Sequence, residues 1–195
     1  MAEIVIFDTE YTSWEGALER QWTGENEYRE IVQIGALKVD WPNGTVLDSL
    51  DILVKPLRNP KLSQYFIDLT GITQDMVDNS GIPFPEALKF FLDFCGAETP
   101  TLSYGKDFCT LAENIAINHC HPHTFYRGGP NFMNCGPAFR AADPTIREKK
   151  INSGKLWEHF KLPRPEGVGA HNALFDCHSI LAGLKYLRDK KKLAL

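Results

Sequence analysis

The chain of 195 residues lacks any long apolar run: its first, Ile4-Val5-Ile6-Phe7, has no basic flank and is cut short by Asp8. A signal peptide and a membrane span both need more than that, so the expectation is a cytoplasmic protein with no membrane partner. Cysteine is sparse and irregular, with Cys95, Cys109, Cys120, Cys135 and Cys177 giving an odd number and no Cys-x-x-Cys pair. That pattern excludes a disulfide framework and predicts reduced, mostly buried thiols. Positive charge is not in excess either: the formal net charge of -4 argues against coating long nucleic acid through a basic face, though not against gripping a short end. The basic clusters Arg147-Glu148-Lys149-Lys150 and Arg188-Asp189-Lys190-Lys191-Lys192 read as solvated helix faces. There is no internal repeat and no low-complexity linker. With 43% apolar residues, the length suits one domain over residues 1–195.

What is present reads as a mixed α/β chain. Ile4 to Phe7 is apolar on both alternating faces, as in a strand covered on both sides. Glu30 to Asp40 and Thr45 to Lys55 are rich in β-branched residues and flank Pro42-Asn43-Gly44, which predicts an antiparallel hairpin. Ala87, Leu88, Phe91, Leu92 and Cys95 recur at helical spacing after Pro85 and stop at Gly96. Thr101 to Tyr104 reads as a short strand broken by Gly105. A helix follows from Asp107 to about His119, with Phe108, Leu111 and Ile115 at helical spacing. His121 to Pro144 holds many Gly, Pro and Asn residues and is expected to be irregular. A last helix is predicted from near Asn172 to Lys190, its basic residues gathered at the C-terminal end where they suit the helix dipole.

Three places carry candidate chemistry. In Asp8-Thr9-Glu10 the two carboxylates leave a continuing strand on the same face. Like charges so placed repel and raise a pKa unless a cation neutralises them; alone, the pair better fits a strand end and a solvated Glu10. In the last helix Ala173, Cys177, Ile180, Leu184 and Leu187 form one apolar stripe, and Asp176 falls inside it. A buried carboxylate needs a partner, whether an amide, an Arg or a metal. His171 stands in the Gly167-Val168-Gly169-Ala170 approach, where it can swing over the site. Asp107 follows a strand and a glycine and opens a helix, which suits a cap and a catalytic carboxylate equally.

Taken together these residues resemble the DEDDh 3′-to-5′ exonuclease family, which includes the proofreading subunit of bacterial replicative polymerase, ribonuclease T and oligoribonuclease. Asp8-Thr9-Glu10 matches the first motif, Asp107 in Ser103-Tyr104-Gly105-Lys106-Asp107-Phe108 the second, and His171-Asn172-Ala173-Leu174-Phe175-Asp176 the third. Glu30 to Ala36 is similar to the family's second strand, and Leu69-Thr70-Gly71-Ile72-Thr73 to its terminal-nucleotide loop. Gln74, Val77 and Asn134 resemble the branch that trims histone mRNA, small interfering RNA and ribosomal RNA ends. Tyr11-Thr12-Ser13-Trp14-Glu15-Gly16 departs from that branch.

The resemblance implies a ribonuclease H-like mixed sheet with an antiparallel hairpin, flanked by helices. It implies hydrolysis at the single-stranded 3′ end of RNA or DNA with two Mg²⁺ or Mn²⁺ ions. Asp8, Glu10 and Asp176 are then ligands of the first ion. Asp8 bridges to the second, and Asp107 acts partly through water. His171 becomes the base, with Glu10 beside it in the catalytic group. Thr9 and the Leu69, Thr70, Gly71, Ile72 loop hold the terminal nucleotide, and Tyr11 or Phe66 stacks on a base.

Two other readings compete. A silent binding module of the same fold is disfavoured because all five catalytic positions are filled. A zinc site on His119, Cys120, His121, His123 and Cys135 lacks paired spacing.

Overall fold

A computed structural model describes residues 2–121, 129–165 and 169–192. The strands are β1 (Ala2–Tyr11), β2 (Ile31–Trp41), β3 (Thr45–Lys55), β4 (Ile82–Pro83), β5 (Pro100–Ser103) and β6 (Asn131–Asn134). The helices are α1 (Gln64–Thr70), α2 (Gln74–Ser80), α3 (Phe84–Cys95), α4 (Asp107–Ile117), α5 (Gly136–Ala142), α6 (Thr145–Glu148), α7 (Leu156–His159) and α8 (Ala173–Asp189), with a 3-10 turn at Ser153–Lys155. One sheet runs in the order β4-β3-β2-β1-β5-β6. The β1–β2 and β2–β3 pairs are antiparallel, and β1–β5 and β5–β6 are parallel. The expected hairpin is therefore present, and β1 lies inside the sheet.

The period-two alternation of β1 sends its side chains into two cores. Ile4 and Ile6 join Leu37, Phe139, Leu156 and the inward stripe of α8 on one face. Val5 and Phe7 join Ile34, Ala36, α3 and the Leu111 and Ile115 side of α4 on the other. Burying each of Cys177, Ile180, Leu184 and Leu187, none more than 0% exposed, stabilises α8 on the sheet by roughly 1.5–3 kcal/mol per large side chain. Two polar features fix how α8 lands. The Ala173 amide donates to Gln33 Oε1 at 2.9 Å. Gly35 lies so close that a Cβ there would sit 2.4 Å from the Leu174 nitrogen.

Several expectations need correction. The stretch from 131 to 142, expected to be irregular, is β6 followed by α5, because Cys135 and Phe139 are buried under the sheet. Residues 122–128 of that stretch lie outside the described residues. Phe108 is 40% exposed and stands off the buried face of α4. The Leu69 to Ile72 loop is the last turn of α1, ended by Gly71 in the left-handed region (φ 74°). The zinc alternative, already disfavoured by its spacing, finds no support among the described residues: Cys135 belongs to the core beneath one face of the sheet and Cys120 packs against the core beneath the other. His123 lies outside the described residues. The five cysteines are free thiols, and no helix among the described residues is long and apolar enough to cross a membrane.

Candidate active site

Because β1 extends to Tyr11 instead of ending at Phe7, Asp8 and Glu10 continue the face that carries Ile4 and Ile6. That face is the one α8 covers. Asp176, on the first turn of α8, therefore meets them from above. One carboxylate oxygen from each of Asp8, Glu10 and Asp176 lies within 4.8 Å of the others, and all three residues are buried. The register between β1 and β2 slips at Glu10/Tyr11, a local irregularity of the kind that re-aims side chains beside active sites.

Three ionised carboxylates this close are unfavourable without a cation. Burial, then Asp107, Asp176 and Glu10, push the Asp8 carboxyl well above its ordinary value. Burial, then Asp176 and Asp107, do the same to Glu10. Burial raises Asp176 to about 7, against hydrogen bonds that favour the charged form. One of those bonds comes from Ser153 Oγ, 2.8 Å from Asp176 Oδ2. The other oxygen, Oδ1, is buried with no hydrogen-bond partner. A divalent cation with hard oxygen ligands fits this set: it would neutralise the clustered charge and satisfy the orphaned oxygen.

Asp107 is the first residue of α4. The capping position is Lys106, and no side chain caps the helix, so the capping role fails. Its carboxylate Oδ1 instead accepts from Thr9 Oγ1 at 2.9 Å. It stands at the rim of the same cleft, outside the close trio. Burial raises its pKa, with the Thr9 bond opposing.

His171 has a left-handed backbone (φ 63°), which turns it out of the path into α8. Asn172, not His171, caps that helix, accepting from the Phe175 amide at 3.2 Å. Burial and then Lys155 lower the His171 pKa below its usual 6.5, keeping the ring neutral at neutral pH.

Two hollows meet at His171. One is a polar cleft of about 270 Å³ containing the four carboxylates, Thr9, Tyr11 and Ser153. The other, of about 220 Å³, is lined mainly by aromatic and apolar side chains, among them Trp14, Trp22, Tyr65 and Leu69. Glu10, Tyr11 and His171 line both. Leu69 and Thr70 reach the apolar hollow, while Gly71 and Ile72 do not. The Ile72 side chain is 1% exposed and packs with Val32, Leu62, Phe66 and Val77, which removes it as a contact for a bound molecule. Phe66, also 1% exposed, forms floor and cannot offer a free ring face.

Sequence reading missed Gln33, Ser153, Gly154, Trp22 and Arg29. Gln33 carried a signal, as a lone amide inside an apolar strand. Ser153 and Gly154 carried none, since only folding brings them to Asp176. A Cβ on Gly154 would lie 2.3 Å from Asp176 Oδ1.

A family model described as exonuclease (RNase T) matches residues 5–118. The chain is 32% identical over 88 residues to the 3′-5′ exonuclease Snipper of Drosophila melanogaster, covering 45% of this chain and 30% of that protein. It is 27% identical over 165 residues to 3′-5′ exoribonuclease 1 of Rattus norvegicus, covering 84% of this chain and 42% of that protein. The chain thus spans less than half the length of these relatives. In fold it is similar to a 3′-exonuclease described in 3′-end specific recognition of a histone mRNA stem-loop, with a TM-score of 0.76 at 22% identity over 99% of this chain and 84% of that one. The nuclease domain of 3′hExo, a DEDDh family member bound to rAMP, aligns with a TM-score of 0.71 at 22% identity over 98% and 94%. The six-stranded mixed sheet and its flanking helices are the ribonuclease H-like exonuclease fold.

Proposed function

We propose, from a chain that belongs to the RNase T exonuclease family and its DEDDh class, that it hydrolyses the terminal phosphodiester bond at single-stranded 3′ ends of RNA or DNA, releasing nucleoside 5′-monophosphates. The observation that carries this reading is the buried trio Asp8, Glu10 and Asp176 beside His171, where a polar cleft and an aromatic hollow join.

Asp8, Glu10 and Asp176 would hold a divalent ion, Mg²⁺ or Mn²⁺ by the hardness of their oxygens. Asp107 at the rim would help hold a second. Bound there, such ions supply Lewis-acid stabilisation of the negative charge that builds on the phosphate. The remaining work falls to the chain. His171, neutral because burial lowers its pKa, accepts the proton of the attacking water. The aromatic hollow receives the terminal base, with Leu69 against it and Trp14 and Trp22 walling it. Ser153 fixes the carboxylate of Asp176, and Thr9 that of Asp107, so neither needs to reorganise during turnover.

Polarity of digestion tests the reading. An oligonucleotide with a free 3′ hydroxyl is expected to shorten from that end, and a 3′-phosphate is expected to stop digestion while a 5′ block does not. Rapid cutting of a circular single strand would rule it out.

A further inference from the structure

The polar cleft does not end at the carboxylates. It adjoins a groove of about 810 Å³, and Arg29 and Lys106 line both. Among the described residues these two are the only lysine or arginine side chains lining the acidic cleft. They differ in how their charge is spent. The Arg29 guanidinium is ion-paired with Glu113 and lies 5.5 Å from the centroids of both the Tyr11 and Trp22 rings. It is thereby neutralised and held as part of a wall. The Lys106 ammonium forms no ion pair with any described residue and sits on an exposed side chain, one position before Asp107.

The wall itself is braced. Thr12 Oγ1 donates to the Tyr28 carbonyl, Trp22 Nε1 donates to the Thr12 carbonyl at 2.9 Å, and Arg20 pairs with Glu27. Ser63 Oγ ties Ser13 to the start of α1 through the Ser13 carbonyl. Trp22 holds a left-handed backbone (φ 56°), a conformation that persists in a bulky residue only where the surroundings impose it. Tyr11 and Trp22 meet edge to face, 5.4 Å between ring centroids, and with Arg29 beside them form a braced ridge. Trp22 borders the apolar hollow on one side and the second groove on the other.

Resting on the exonuclease reading, we infer that this second groove seats the nucleotide immediately upstream of the scissile phosphate, and that Lys106 binds the next phosphodiester along the strand. With the terminal base in the aromatic hollow and the scissile phosphate over the carboxylates, the strand leaves the cleft past the one side of it that carries positive charge. An uncompensated ammonium at that exit offsets the repulsion a second phosphate feels from four clustered carboxylates. Arg29 is a positioning residue: with Glu113 it keeps the ridge in place and leaves Lys106 to meet the phosphate.

Oligonucleotide length reads this out. A dinucleotide carries only the scissile phosphodiester, and a trinucleotide adds the next one upstream. In the intact chain with Mg²⁺, kcat/KM is expected to be higher for the trinucleotide, and Lys106→Gln to cut that trinucleotide-to-dinucleotide ratio roughly three- to tenfold, the scale of one charge-assisted phosphate contact. The log–log slope of trinucleotide KM against salt is expected to flatten by about 0.7. Lys106→Arg should recover most of both effects. An unchanged ratio with an unchanged salt slope overturns the assignment, as does an equal loss on both substrates, which would place Lys106 at the scissile phosphate. Failure of the parent protein to cut either substrate would instead refute the exonuclease reading itself.

Discussion

Removing one negative charge from the carboxylate trio is expected to make the metal-free protein more stable while abolishing its activity. Asp176→Asn shows why. Asp176 is 3% exposed, one of its oxygens is buried without a partner, and burial raises its pKa from 3.8 to about 7. Three pKa units correspond to a ceiling of about 4 kcal/mol, part of which is shared with Asp8 and Glu10. The sign follows from the direction of the shift. A folded-state pKa above the unfolded one means that the stability this group contributes is complete below about pH 4 and is lost as pH rises through about 7. In EDTA at pH 8 the asparagine avoids that loss and keeps an acceptor for Ser153 Oγ. A gain of about 2 kcal/mol would raise Tm by roughly 4–8 °C for a chain of this size. At pH 5 the folded carboxyl is protonated while the unfolded one is still mostly ionised, so the difference should shrink to less than half. Thermal unfolding of both proteins in EDTA at the two pH values is the assay. A lower Tm for the variant at pH 8, or a gain of equal size at pH 5, would refute the electrostatic reasoning.

Alanine at Asp8, Glu10 or Asp107 should also abolish turnover without unfolding the chain, with Asp107, outside the close trio, the mildest; near-normal activity with Mg²⁺ in any of them removes that residue from the site. His171→Ala should lower the rate roughly 10²–10⁴-fold while leaving metal binding nearly intact. It should also weaken the acid limb of the pH profile, which in the parent falls where the imidazole gains a proton, below its ordinary 6.5. A normal rate with much weaker metal affinity would make His171 a ligand. Gly154→Ala should push its Cβ against Asp176 Oδ1 and raise the Mg²⁺ concentration needed for half-maximal rate; an unchanged Mg²⁺ titration would show that the carboxylate does not depend on that glycine.

The parts of this protein legible in its sequence are those where local pattern and chemistry coincide. Asp8 and Glu10 show because a period-two strand carries them, and Asp176 because it interrupts an apolar stripe of period 3.6. His171 shows by its spacing from Asp176. The β2–β3 hairpin follows from β-branched runs around Pro42-Asn43-Gly44. The parts that were not legible are made by tertiary contact. Helices α1 and α2 are each 7 residues long, too short for a periodic signal, and they exist because Phe66, Ile72 and Val77 close a small core of their own. β6 holds four residues whose strand form comes from pairing with β5. Ser153 and Gly154 touch Asp176 from 23 and 22 positions away in the chain. Nothing in their neighbours marks them. Arg29 and Lys106 look like ordinary surface cations until the fold sets them on one rim.

The central claim is tested most directly by incubating the protein with a 5′-labelled single-stranded oligonucleotide in Mg²⁺, in EDTA, and in Mg²⁺ with Asp8→Ala in place of the parent chain. The account predicts a ladder of labelled products shortening one nucleotide at a time from the 3′ end with Mg²⁺, and intact substrate in the other two reactions. Digestion that persists in EDTA or with Asp8→Ala, or label released first as a mononucleotide from the 5′ end, would contradict it.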